Sequence, residues 1–250
     1  LLNLPKISIV TVVYNGVSLI ERTIISVLSQ TYTNIEYIII DGASTDGTLN
    51  LIEKYESKIA LLHSGKDDGI YDAMNKGLKD STGDYILFLN AGDELFSSDT
   101  IEKALTGIQN ADVYYGNSAI VNSAGRILGD RRLTPPETLD WKSLKYGMCV
   151  SHQSFIARRL LCDFYDTNYK VSADIDWVIK VLKQSDNVVN THLYISKFLE
   201  GGTSNKRRKK ALLERFFIMV KHYGFFQTLL SHLIILFRWP VHKLTKKTMS

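Results

Sequence analysis

Cysteine is scarce: Cys149 and Cys162 are the only two in 250 residues. Two thiols cannot build a disulfide framework, and no second pair stands at metal-binding spacing, so a disulfide scaffold is excluded and a reducing compartment is expected. Other absences narrow the chemistry. The loop after the first apolar run is Tyr14-Asn15-Gly16, without a G-x-G-x-x-G fingerprint, and no G-x-x-x-x-G-K-[ST] phosphate loop occurs. H-E-x-x-H and G-x-S-x-G are missing too, which removes the common nicotinamide, ATPase, zinc-protease and serine-hydrolase readings. Leu1 to Pro5 lead directly into a strand-like segment, with no charged start, apolar stretch and cleavage site, so no secretory leader is expected. The apolar stretch Phe225 to Trp239 is interrupted by Gln227, Ser231 and His232 and falls short of the roughly 20 residues a spanning helix needs. There is no internal repeat and no low-complexity tract.

The composition is that of a globular chain able to bury one sizeable core: 45% hydrophobic, 10% aromatic and 22% charged residues. The formal net charge of +4 hides an asymmetry. From Lys206 onward there are eleven Lys or Arg against one acid, Glu214; the first 205 residues carry nineteen basic and twenty-five acidic residues. Nucleic-acid binding calls for positive charge across the folded body, and here the body is acidic, so no nucleic-acid partner is expected.

The first ninety residues alternate short apolar runs with amphipathic stretches. Ile7 to Tyr14 is nearly continuous in its hydrophobicity, as a strand covered on both faces should be. Ser18-Leu-Ile-Glu21 reads as a capping box opening a helix with Ile20, Ile24, Val27 and Leu28 on one face. Tyr37 to Ile40, Ile59 to Leu62 and Tyr85 to Leu89 read as further strands, and Ile70 to Leu78 as a helix. Ser44, Thr45 and Asp46 are N-cap candidates for a helix carrying Leu49 and Ile52. Residues 112–132 suggest a strand and a hairpin turning at Asn122 to Gly125, and a helix is expected near Asp174 to Leu182. Such repetition implies an α/β fold with a mostly parallel central sheet flanked by helices.

Ligands of such sheets sit at the carboxyl ends of the strands. Asp41, ending the second strand, can accept hydrogen bonds from a base or ribose; equally, it can serve the turn that follows. Asp93, after the fourth strand, is either a turn residue or a ligand for a hard divalent cation that shares its coordination sphere with phosphate. His152 beside Gln153 either orients an acceptor or phosphate or satisfies a structural hydrogen bond.

In order and spacing, four segments resemble family 2 glycosyltransferases: Ser26 to Tyr32 (SVLSQTY), Ile38 to Thr48 (IIIDGASTDGT), Gly69 to Gly77 (GIYDAMNKG) and Gly83 to Asp93 (GDYILFLNAGD). The second resembles the family's V-D-D-G-S-T-D-G-T signature and the fourth its D-x-D metal segment. Ser151-His-Gln-Ser154 and Tyr169 to Trp177 look like acceptor-side segments. The likeness covers about residues 6–202 and is greatest to bacterial members that build surface polysaccharides. It implies a GT-A nucleotide-diphospho-sugar transferase fold and inverting transfer from a nucleotide-sugar to a glycan or lipid-linked acceptor.

Carried over residue by residue, Asp41 matches the nucleoside-contacting carboxylate, with Tyr14 lining the same pocket. Asp67 and Asn75 match donor-binding positions, Asp93 the ligand of Mg²⁺ or Mn²⁺, and Asp174 the general base, with Asp176 as its rival. Gly42, Asn90 and Gly92 stand where the signatures have carboxylates, and Met74 where many members have arginine. The resemblance implies a catalytic domain over 1–205, its nucleotide-binding half about 1–93 and its acceptor half about 94–205. A basic amphipathic helical tail follows over 206–250.

That tail reads either as a helix lying against anionic lipid or as core-packing helices with a solvated charge run; the first implies a peripheral enzyme on the cytoplasmic face of the cell membrane. Glu200-Gly-Gly-Thr-Ser204 reads as a loop closing over donor phosphates or as a linker. Two other functions remain open at this point. A sugar nucleotidyltransferase would need a glycine-rich, basic triphosphate loop that is absent; a membrane-associated carbohydrate-binding protein with a degenerate site would explain the thinned metal segment.

Overall fold

A computed structural model describes residues 4–107, 110–201 and 207–245, with side chains to residue 235. Strand β1 (Ile7–Val13) is buried along its whole length, and its alternate residues serve two different cores. Val10 and Val12 pack on one face of the sheet, Ile7, Ile9 and Val13 on the other. Strand β2 (Ile35–Asp41) divides in the same way, with Ile38 and Ile40 opposite Tyr37 and Ile39. This double burial accounts for the unbroken apolar runs.

Helix α1 (Ile20–Leu28) follows β1, and helix α2 (Thr48–Glu53) follows β2. Strand β3 (Leu61–Ser64) leads through helix α3 (Ile70–Asp80) to strand β4 (Tyr85–Phe88). These four strands are parallel, in the order β3-β2-β1-β4. Past the short strand β5 (Glu94–Leu95) and helix α4 (Thr100–Thr106) the sheet becomes mixed. Strand β6 (Val113–Val121) makes a hairpin with β7 (Ile127–Asp130) about the expected turn, where Asn122 Oδ1 accepts the N–H groups of Ala124 and Arg126. Strand β8 (Phe155–Arg158) runs antiparallel to both β4 and β6, and β9 (Val188–Leu199) is parallel to β6. Helix α5 (Ala173–Gln184) covers the α3 face. Helices α6 (Arg208–Tyr223) and α7 (Phe225–Thr245) close the chain, parted by Gly224 at φ 82°.

Three local expectations are corrected. Ser18 does not cap α1: the helix starts at Ile20, the N–H groups of Leu19 and Ile20 turn onto the Gly16 carbonyl, and Glu21 accepts from Tyr55. None of Ser44, Thr45 and Asp46 is the N-cap of α2, which is Gly47; Asp46 instead accepts from the Thr48 and Val17 N–H groups. Strand β3 begins two residues later than expected because Ile59 closes a 3-10 turn onto Glu56. The shift sets Ser64 opposite Asp41.

The first tail helix is part of the body. Its Ile218 and Met219 are buried, Ile218 within the same core as Trp177 of α5, and Tyr223 stacks on Trp141 at 5.5 Å. Among the described residues no helix is long and apolar enough to cross a membrane.

Candidate active site

The carboxyl ends of β1, β2 and β4 lie side by side, since Val13 pairs with Asp41 and Val10 with Phe88. Asp41 is fully buried there; its carboxylate accepts from Ser64 Oγ (2.6 Å) and the Ser44 N–H (3.1 Å). The loops after β1 and β2 are laced together: Asn15 N–H donates to Ser44 Oγ, and Asn15 Oδ1 accepts from the Thr45 N–H. Gly42 opens the next layer. A Cβ at this position would stand 2.5 Å from Asp67 Oδ2 and 3.3 Å from the Tyr14 ring. The missing side chain thus brings Asp67 and Tyr14 together over the buried Asp41. Tyr14 is 67% exposed, an aromatic face free to stack on a planar ligand.

A second group of side chains surrounds the end of β4. Asp93 is buried; Gln153 Nε2 donates to its Oδ2 (2.8 Å) and the Leu199 N–H to its Oδ1 (2.9 Å). Burial outweighs those two bonds and pushes its pKa up to about 6. Asn90 Nδ2 meets His152 Nε2 at 3.2 Å, while Asn90 Oδ1 is buried without a partner. His152 Nδ1 lies 3.5 Å from Asp174 Oδ2, and Tyr71 OH donates to Asp174 Oδ1 (3.2 Å). Burial alone would raise the pKa of Asp174. Hydrogen bonding and charge from His152, with Tyr71 and the Ile175 N–H, more than offset it and hold the carboxyl below its ordinary value. Asp174 is therefore an anion at neutral pH. The adjacent residues His152 and Gln153 thus reach Asp174 and Asp93 respectively, joining elements 81 residues apart in sequence.

Among the described residues no three His, Cys, Asp or Glu side chains are grouped as a metal cage. The unpartnered Asn90 oxygen and the desolvated Asp93 carboxylate nonetheless suit a hard cation. One charged and one neutral oxygen leave the remaining coordination positions to phosphate oxygens and water.

Comparison with known proteins decides the family. The sequence profile described as glycosyl transferase family 2 matches residues 8–163. The chain belongs to that family. A "PGL/p-HBAD biosynthesis glycosyltransferase" of Mycobacterium tuberculosis is 29% identical over 222 residues, 84% of each chain. An uncharacterized glycosyltransferase of Haemophilus influenzae is 35% identical over 152 residues, 58% of this chain and 59% of the other. Among solved structures, S. aureus TarS 1-349 in complex with UDP superposes with a TM-score of 0.68 at 20% identity, over 86% of this chain and 64% of that one. The mannosyltransferase PcManGT from Pyrobaculum calidifontis, in complex with GDP-Man and Mn²⁺, gives 0.63 at 17%, over 87% and 64%. These likenesses establish the fold as GT-A, and the family makes the chain a glycosyltransferase, setting aside the nucleotidyltransferase and non-enzymatic readings.

Within this glycosyltransferase several residues behave differently from their sequence reading. Asn75 is taken up by the framework: its amide donates to the Tyr165 carbonyl (3.0 Å) and accepts the Tyr165 N–H (2.7 Å), which docks α3 on the segment before α5. Met74 is fully buried and cannot contact a phosphate. Asp176 is corrected from rival base or acceptor contact to structural ion. Its side chain is inaccessible and pairs with His222 (2.7 Å), Lys180 (2.8 Å) and Lys221 (3.0 Å). Residues 202–204 of the expected phosphate-covering loop lie outside the described residues.

Two contributors escaped sequence reasoning. Tyr71 lies inside a quoted segment but takes its role only from contact with Asp174. Glu214, the lone acid of the basic tail, accepts three successive N–H groups, from Lys170, Val171 and Ser172, at 2.8 to 3.0 Å. It therefore anchors the segment that leads into the helix carrying Asp174. Its only sequence signal was its sign.

Proposed function

We propose that this glycosyltransferase moves a sugar, with inversion, from a nucleoside-diphosphate-sugar to a hydroxyl of a glycan or lipid-linked glycan during bacterial polysaccharide or glycolipid assembly. The observation that carries the reading is the pairing of an ionised Asp174 with Asp93 and Asn90 through the His152-Gln153 dipeptide. Asp174 accepts the proton of the acceptor hydroxyl as its oxygen attacks the anomeric carbon. The bond from that carbon to the diphosphate oxygen breaks with its electron pair on the leaving group. One carboxylate base and direct displacement give inversion without a covalent enzyme intermediate. His152 and Tyr71 fix the orientation of the base. Asp41, Asp67 and Tyr14 line the nucleoside side. Asp93 with Asn90 would hold Mg²⁺ or Mn²⁺, which when bound neutralises charge on the leaving diphosphate.

The mycobacterial relative's name supports a glycolipid setting, and the nucleotides named for TarS and PcManGT support UDP- or GDP-sugars as donors. The tail supports a location on the cytoplasmic membrane face. Leu213 and Phe217 on α6 and Phe226, Leu230 and Leu233 on α7 are exposed, as are the basic residues 207–210 that lead into α6. Each Lys or Arg near anionic lipid contributes about 1 kcal/mol.

The test is release of nucleoside diphosphate from a panel of nucleotide-sugars with Mn²⁺. Asp174→Asn should lower the rate by about 10²- to 10⁴-fold while the thermal midpoint is kept. A wild-type chain that neither binds nor turns over any of the panel defeats the proposal.

A further inference from the structure

Tyr165, in the segment before α5, is buried and forms the middle of a three-ring stack. On one side it lies on Tyr71 of α3, with ring centroids 5.4 Å apart and planes inclined by 23°. On the other it lies on Trp177 of α5, at 5.1 Å and 13°. Phe88, at the end of β4, meets it edge-on at 5.3 Å, and the Trp177 indole N–H donates to the Asp163 carbonyl (3.0 Å). Both outer rings belong to the base. Tyr71 OH donates to Asp174 (3.2 Å), and Asp174 stands about one turn before Trp177 on α5. Asn75, about one turn after Tyr71 on α3, holds the Tyr165 backbone by its N–H and its carbonyl. The contacts close a circuit: α3 and α5 meet through Tyr71 and Asp174, and the Tyr165 ring fills the gap beside that bond. The Tyr165 hydroxyl is buried without a partner, so the ring, not the oxygen, makes these contacts.

We propose that Tyr165, seated by Asn75, is a positioning residue for the base: its ring sets the separation of α3 and α5 at which the Tyr71 hydroxyl meets Asp174. Close-packed rings yield little to compression, whereas an empty space in their place lets the two helices drift. A displacement of about 1 Å at a reacting group can cost about 10²-fold in rate. The inference rests on Asp174 being the base, but one arm of its test does not require turnover.

The first arm is ¹³Cζ-tyrosine NMR of the full chain, with the Tyr71 signal assigned by its loss in Tyr71→Phe. Asp174→Asn should move that signal in the wild-type and Tyr165→Phe backgrounds and leave it in place in Tyr165→Leu. The second arm is nucleoside diphosphate release from the nucleotide-sugar panel with Mn²⁺, below each variant's melting midpoint. Tyr165→Leu should lower kcat by about 10- to 100-fold with donor KM unchanged. Tyr165→Phe, which returns the ring without the hydroxyl, should restore kcat, and Tyr165→Leu should cost nothing further in a Tyr71→Phe background. Asn75→Ala removes no ring and should lower kcat in the same way, which decides the matter if Tyr165→Leu does not fold. The inference is overturned by a Tyr71 signal that responds equally to Asp174→Asn in Tyr165→Leu, by wild-type kcat in Tyr165→Leu or Asn75→Ala, or by a Tyr165→Phe enzyme as slow as Tyr165→Leu. A wild type that turns over no donor strikes at the proposed function instead, and the NMR arm still decides the role of Tyr165.

Discussion

Replacing Glu214 by alanine tests whether the tail helix holds the catalytic helix in place. Glu214 is 8% exposed, and its carboxylate receives the N–H groups of Lys170, Val171 and Ser172. Lys170 lies at the surface, where water can replace the lost acceptor, but Val171 and Ser172 are buried. Two orphaned buried donors at about 1–3 kcal/mol each give a loss of about 2–6 kcal/mol. The lost charge beside the positive end of α5 acts in the same direction, since Ser172 makes no side-chain cap of its own. In a domain of this size each kcal/mol lowers Tm by about 2–4 °C, so Glu214→Ala should melt about 4–24 °C below wild type, ~12 °C at the mid-values. Glu214→Gln keeps one acceptor oxygen and should fall between the two. Thermal unfolding at pH 7.5 measures the effect. Hydrogen exchange locates it, with protection lost first over residues 170–176. Because Asp174 is the second residue of α5, kcat should fall more than the donor KM rises. A Glu214→Ala protein melting within about 2 °C of wild type, its α5 amides still protected, would refute the reasoning.

Asp93→Asn should stabilise the metal-free protein while abolishing activity. The folded carboxyl titrates at about 6 against an ordinary 3.8, so the folded state keeps a proton that the unfolded chain has released. Wild-type stability is present below pH 4 and is lost as pH rises through 6, a penalty of about 2–3 kcal/mol that asparagine removes; Tm in EDTA at pH 5 and pH 7.5 measures it. Asp176→Asn should act in the opposite sense, lowering Tm, because it removes the buried anion that Lys180, Lys221 and His222 face. Burial would raise the Asp176 pKa, but His222, Lys180 and Lys221 hold it far below the ordinary value. Its contribution is therefore present above pH 4 and lost on acidification, a dependence missing from the variant's Tm profile. Phe226→Ser with Leu230→Ser should reduce flotation with anionic vesicles and leave nucleoside diphosphate release in solution unchanged; equal flotation counts against the lipid-facing role of α7.

By itself, the sequence determined the alternation of buried strands and amphipathic helices over the first ninety residues. A strand buried on both faces must be apolar throughout, and this is legible without coordinates. It also located the polar ends of those strands, Asp41 and Asn90 to Asp93, because a parallel sheet exposes its loops there. Tertiary structure decided which carboxylate does what. Asp174 and Asp176 are two residues apart and chemically identical in the sequence. Only packing sets one against His152 and Tyr71 and the other against Lys221 and His222 of the tail helix. The role of Glu214 was hidden for the same reason. A carboxylate's pKa, partners and reach are fixed largely by groups far along the chain, 103 residues away for Tyr71 and Asp174 and 46 for His222 and Asp176, and local spacing carries no record of them.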